Sequence, residues 1–182
     1  TYTYSSGRFN DRRLLREQAD LVSGTGSHTL EATWYEYEES GGMVGEVVSY
    51  RVIGRPDRWE RRLWHKDHDS CIYARGRLHL HEQNTGARTS YEYAMCSSYG
   101  AVWSCTETLV EAGSDAVVAG KSTRIVHYYD ENGDEVATDR QVHVEGEGFV
   151  SIGLRQMAYD ASHRVIRTDD ANGLYSTAEW SC

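Results

Sequence analysis

Tyr73-Ala74-Arg75-Gly76-Arg77-Leu78-His79-Leu80-His81-Glu82-Gln83-Asn84-Thr85-Gly86-Ala87-Arg88-Thr89-Ser90-Tyr91-Glu92-Tyr93 decides how the chain is read. Residues 77 to 81 alternate polar and apolar side chains, Gln83 to Gly86 carry turn chemistry, and residues 89 to 93 alternate again. Period two on both sides of a turn predicts two paired strands. The phrase returns near the C-terminus as Tyr159-Asp160, then Arg164 to Arg167, then Asp170-Ala171-Asn172-Gly173, then Thr177 to Trp180. The first phrase runs twenty residues from Tyr73 to Tyr93 and the second twenty-one from Tyr159 to Trp180. A spacing that recurs at this size predicts a repeat architecture.

Further copies start at Tyr2/Tyr4 with Gly7-Arg8, at Tyr35/Tyr37 with Gly41-Gly42, and at Tyr128/Tyr129 with Asp130-Glu131-Asn132-Gly133. The anchors Tyr4, Tyr37, Tyr73, Tyr93, Tyr129 and Tyr159 are thus separated by 33, 36, 20, 36 and 30 residues, about six irregular units, with Trp180 opening another. An aromatic pair, then Asp or a small residue, then Gly-Arg, an alternating strand and a second Gly resembles the YD repeat of the RHS (rearrangement hot spot) family. The matching segments are YARGRLHLHEQNTGARTSYEY, YDASHRVIRTDDANG and HYYDENGDEVATD. In this sequence Tyr93 is followed by Ala94, Ser162-His163 stands where Gly belongs, and residues 43 to 70 depart from the pattern. The resemblance implies antiparallel hairpins in one curved or spiralling sheet, a shell, tube or solenoid-like wall outside the cytoplasm. It also implies, as in bacterial RHS proteins, a container for a toxic C-terminal domain; the self-cleaving segment that often follows such repeats is not recognisable in these residues.

Composition bounds the same answer. A chain of 182 residues is long enough for one domain, burying on the order of 70% of its unfolded surface if it closed on itself. Thirteen tyrosines and five tryptophans against two phenylalanines favour rings with a polar tip on a half-buried sheet, hence an all-β chain. The net charge of −9 offers no basic stripe for phosphate neutralisation and argues against nucleic acid as a partner, although residues 51 to 66 are locally basic. No run approaches the roughly twenty apolar residues of a membrane span. The chain begins at Thr1 without signal peptide or initiator Met, as an excised segment would. Cys71, Cys96, Cys105 and Cys182 lack C-x-x-C spacing, which disfavours structural zinc and favours an exported protein with a local disulfide.

Taken in order, residues 1 to 7 read as a strand and a turn. Asn10 to Val22 reads two ways: Leu14, Leu15, Gln18, Leu21 and Val22 have helical spacing between a cap at Asn10 and a stop at Gly24, whereas the repeat register requires a strand. Glu31 to Tyr37 alternates and is a strand, Gly41-Gly42 turns, and the β-branched run from Val44 to Ile53 returns, ending at Gly54 and Pro56. Arg55 to Cys71 is the most charged stretch, a short helix or a surface excursion around Trp59, Leu63 and Trp64. Cys96 and Cys105 bracket a nine-residue span that a tight loop closes, the expected disulfide, with Cys71 pairing elsewhere in the sheet and Cys182 left over. Asn132-Gly133 between alternating runs at 124 to 129 and 134 to 144 is a strong hairpin signal, and Gly146, Gly148 and Gly153 punctuate a loop or bulge.

Two groups carry metal-ligand residue types. Within His65-Lys66-Asp67-His68-Asp69-Ser70-Cys71, His65 and His68 meet on a helix face, or His65, Asp67 and Asp69 line one face of a strand; the competing reading is a solvated charged loop. Asp130-x-Asn132-x-Asp134 begins like a calcium loop but lacks the following glycine and has Gln141 at the twelfth position, so a hairpin turn is the competing reading. Asp169-Asp170 reads as a turn as well. No G-x-S-x-G, H-E-x-x-H or Gly-rich phosphate loop is present, nothing nominates a nucleophile, and no cofactor is implied. The expected role is structural: a repeat segment assembling by strand pairing with further repeats or identical subunits. The alternative is a cell-surface module whose exposed Trp34, Trp59, Trp103 and Tyr99 stack on glycans.

Overall fold

The computed structural model describes residues 1–4, 13–38, 42–51, 57–110 and 117–180. The expected turn at Gly7-Arg8, the cap at Asn10, the stop at Pro56 and Cys182 lie outside the described residues. The chain divides into two compact units, residues 1–88 and 89–182, and the described residues of both are all-β apart from one short 3₁₀ turn.

In the first unit the strands are β1 (Tyr2–Tyr4), β2 (Leu14–Ser23), β3 (Gly26–Tyr37), β4 (Met43–Tyr50), β5 (Arg58–Trp64) and β6 (Leu78–Gln83). The second holds β7 (Arg88–Met95) from its second residue on, β8 (Trp103–Val110), β9 (Thr123–Tyr129), β10 (Glu135–Val144), β11 (Gly148–Tyr159), β12 (Val165–Asp170) and β13 (Tyr175–Thr177), with the 3₁₀ turn Ser98–Gly100 before β8. Within each unit every strand pairs with its chain neighbours, so each is a succession of antiparallel hairpins.

The ambiguous stretch before Gly24 is a strand. Local spacing would suit a helix, but the strand register sets Arg16 opposite Trp34, with the guanidinium 5.1 Å from the ring centroid. It also lets the Gln18 amide reach Thr29 Oγ1 at 2.9 Å. Cross-strand partners of this kind outweigh a weak helical preference.

A single layer of strands has no opposing layer to bury large side chains, and the innermost residues are accordingly small: Ala32 and Ala74 in the first unit, Ala137 and Ser122 in the second. The larger exception is Trp103, only 6% exposed, which stacks on Tyr129 with centroids 4.1 Å apart. Asp139, 8% exposed, is a buried charge. Its carboxylate accepts from Ser151 Oγ at 2.5 Å and Gln141 Nε2 at 2.7 Å, which offsets its desolvation.

The expected disulfide is not formed. No disulfide joins Cys71, Cys96 and Cys105. Cys96 N–H donates to Val102 O at 3.1 Å, which fixes Cys96 opposite Val102, while Cys105 stands three residues further along β8. At about 3.3 Å per residue that is roughly 10 Å of strand, beyond the roughly 7 Å between Cα atoms that a disulfide tolerates. The nine-residue spacing closes a loop in sequence, but the register draws its ends apart.

Candidate functional site

The repeated feature of the sheet is the strand end where an aromatic residue precedes a turn. In five hairpins the aromatic pairs with the first residue of the returning strand: Tyr4 with Leu14, Tyr37 with Met43, Trp64 with Leu78, Tyr129 with Glu135, and Tyr159 with Val165. In all five the register then slips by one, leaving Leu15, Val44, His79, Val136 and Ile166 as the extra residue of a β-bulge. A bulge interrupts the ladder at a fixed point and bends the strand.

The turns share one construction. Asp130 N–H donates to Asp134 O at 3.0 Å and Gly133 N–H to Asp130 O at 3.2 Å, and Asp130 Oδ1 accepts from the backbone N–H of Asn132 and of Asp134, both at 2.9 Å. Asp160 does the same with Ser162 and Arg164, at 2.8 and 3.0 Å, and Asp170 with Asn172 and Leu174, both at 2.9 Å. The fourth position has positive φ, +88° at Gly133, +77° at Gly173 and +59° at His163. Asp serves at the first position because a short carboxylate reaches two backbone donors that would otherwise face solvent or nothing. The N–H groups of Arg164 and Ser162, with the Arg164 guanidinium at 2.8 Å, hold the Asp160 carboxyl below its ordinary value.

The same closing bonds appear in expanded form where the sequence departs from the repeat. His65 N–H donates to Arg77 O at 2.8 Å and Gly76 N–H to His65 O at 3.1 Å. His65 thus takes the Asp position, Gly76 the positive-φ position, and residues 66 to 75 are an insertion within one turn. Trp64 occupies the strand end, and Tyr73, expected as an anchor, lies in the inserted loop. Glu38 bonds outward to this loop: its carboxylate, with a side chain 5% exposed, accepts from Asp67 N–H at 3.0 Å and lies 3.2 Å from His68 Nδ1. Asp67 Oδ2 comes to 2.5 Å from where a Cβ on residue 42 would lie, so a side chain there would displace the Asp67 carboxylate.

Successive hairpins are joined at the bulges. Tyr37 OH donates to Leu14 O at 3.0 Å, Tyr159 OH to Glu135 O at 2.8 Å, and Trp180 Nε1–H to Val165 O at 3.0 Å. In each case a ring from later in the chain meets the carbonyl immediately before the extra residue of the preceding hairpin. Three of the predicted anchors therefore perform one task. Burial, followed by the charges of Asp134, Glu135 and Asp130, pushes the Tyr159 phenol up, which keeps it a donor. Tyr129 stacks on Trp103 instead, and Tyr93 lies 6.5 Å from the same indole; Tyr4 is exposed on β1.

Neighbouring turns are also bridged, His163 Nδ1 lying 2.6 Å from Asp134 Oδ2. That contact raises the His163 pKa, first through the hydrogen bond and then through the Asp134 charge, with smaller contributions from Asp130 and Asp160.

The residues expected as metal ligands are deployed separately. His65 faces Asp69 at 3.0 Å and His79 at 4.5 Å between ring centroids, whereas the exposed His68 faces Glu38. Asp130 and Asn132 are engaged in their own turn and Asp134 in the bridge to His163. Sequence reading missed His127, opposite Cys105 in the register. Its Nδ1 lies 3.0 Å from Glu135 Oε2 and its Nε2 3.8 Å from Glu107 Oε1, so that three strands meet at one ring. The alternation of β8 and β9 holds that pairing, but only once their register is known. No protein-family model matches the chain, and no curated protein matches it.

Proposed function

We propose that this chain is a structural repeat segment of YD-repeat type, which builds a shell, tube or filament outside the cell by pairing its strands with further repeats or identical subunits. The observation that carries this reading is the recurrence of one staple, Tyr37 to Leu14, Tyr159 to Glu135 and Trp180 to Val165, at the bulge of successive hairpins. A device that locks each hairpin to the next serves a sheet extended by repetition, in which each unit contacts only its neighbours. The outer strands are short, Tyr2–Tyr4 and Tyr175–Thr177, and Tyr2, Tyr4, Leu174 and Tyr175 are all more than half exposed. Such edges present unpaired backbone groups and apolar rings to another strand. The extracellular setting rests on the resemblance alone.

Sedimentation velocity of the 182-residue chain over a wide concentration range tests the reading. Reversible association to larger species that Lys substitutions at Tyr2 and Tyr175 suppress is the expected result. A monomer with no association at the highest concentration would count against it.

A second reading has one observation in its favour. Trp34 and Trp59, each 40% exposed, project from the same face of the first unit, because Trp34 is opposite Val47 and Trp59 opposite Ser49, two positions along β4. Two such rings offer stacking surfaces to a glycan. Trp103, by contrast, is buried. Glycan-array binding lost in Trp59→Ala would favour adhesion over assembly.

A further inference from the structure

On the face of the second unit that carries His127, the carboxylates are engaged and two arginines are not. Glu135 faces His127 and accepts from Thr138 Oγ1, and Asp170 Oδ1 caps its own turn. Arg140 is opposite Gly153 and Arg155 opposite Thr138, which makes the two arginines diagonal neighbours across β10 and β11, within reach of each other's long side chains. Both are exposed, and among the described residues neither guanidinium has an ion-pair or hydrogen-bond partner. They flank a groove of 490 Å³ whose apolar lining includes Ile125 and Ile152, with Glu135, Asp170 and the Asn172 turn also lining it. Ile152 is 67% exposed because it is the extra residue where β11 slips against β10.

Two adjacent like charges destabilise a sheet; the carboxylate opposite Arg155 across β11 and β12, Asp170, commits Oδ1 to its own turn, and the pair is set in a chain whose net charge is −9. Guanidinium groups present planar forks that match carboxylate and phosphate oxygens, and a bulged isoleucine beside them supplies a surface for an apolar ring face. We infer that Arg140 and Arg155 form a binding site for an oxyanion, a carboxylate or a phosphate, carried on a compact molecule whose apolar side lies against Ile125 and Ile152. The site is independent of the assembly reading, which uses strand edges and turns.

Nuclear magnetic resonance titration of the intact chain, following the Arg140 and Arg155 Nε–Hε signals, tests the inference with D-glucuronate, D-glucose and inorganic phosphate as probes. Glucuronate is expected to shift both signals saturably and glucose not to. A response to glucuronate alone marks a carboxylate site that uses the ring, and a response to phosphate as well marks a general oxyanion site. Each of Arg140→Gln and Arg155→Gln is expected to weaken binding by about tenfold or more, with the sheet's amide spectrum unchanged. The inference is overturned if neither anion gives a saturable shift, if glucose binds as well as glucuronate, or if the doubly substituted chain binds as tightly as the original.

Discussion

His163 carries a cost that glycine would not. It occupies the positive-φ position that Gly133 and Gly173 hold in the sister turns, where a side chain is disfavoured by about 1 kcal/mol. Its return is the 2.6 Å bridge to Asp134. Because the folded pKa is raised, the bridge's contribution is present in full below the ordinary histidine value of about 6.5 and is lost as pH rises through the higher folded value. Replacing His163 with Gly relieves the backbone and removes the bridge. The melting temperature of the native chain relative to His163→Gly is therefore expected to be most favourable in mild acid and to decline, or reverse, in alkaline solution. A difference that does not change with pH would show that the bridge adds nothing to the fold. Asp160 works in the opposite direction: its lowered pKa makes its contribution present above the ordinary carboxylate value and lost as pH falls through the depressed one.

At the level of the element, the bulge and its staple act together. Tyr159→Phe keeps the ring and removes only the donor to Glu135 O, and chemical denaturation is expected to show a loss of about 1 kcal/mol. Trp103→Ala removes a buried indole and its stack on Tyr129, and the expected loss is about 3–5 kcal/mol. If the two losses were equal, the staple would matter as much as the core. The strands were legible in the sequence wherever period two was bounded by Asn-Gly or Asp-rich turns, as at 124 to 144 and 159 to 177. Bulges were not legible, because the extra residues Leu15, Val44, Val136 and Ile166 are the same apolar types that fill ordinary ladder positions. Tyr73 misled for a related reason: with Gly76-Arg77 after it, it imitates an anchor, although the closing bonds belong to His65. The cysteine spacing misled because a disulfide depends on register, which sequence distance does not convey.

Across the whole molecule the 28 acidic residues include the carboxylates that close the turns at 130, 160 and 170, so charge that opposes association also organises the hairpins. The three staples all run in the same sense: the donor lies later in the chain, the acceptor on the earlier hairpin. Removing a donor should therefore loosen what precedes it. Trp180→Ala is expected to quicken amide hydrogen exchange in β11 and β12 while leaving residues 26–50 unchanged, and Tyr4→Ala, whose ring meets no earlier bulge among the described residues, should quicken neither. Faster exchange confined to residues after 180 would contradict that directionality. A sheet stapled this way has a polarity like that of a growing filament. Each stapled hairpin is finished by its successor, so a chain emerging N-terminus first can lock its completed portion before the remainder has been made.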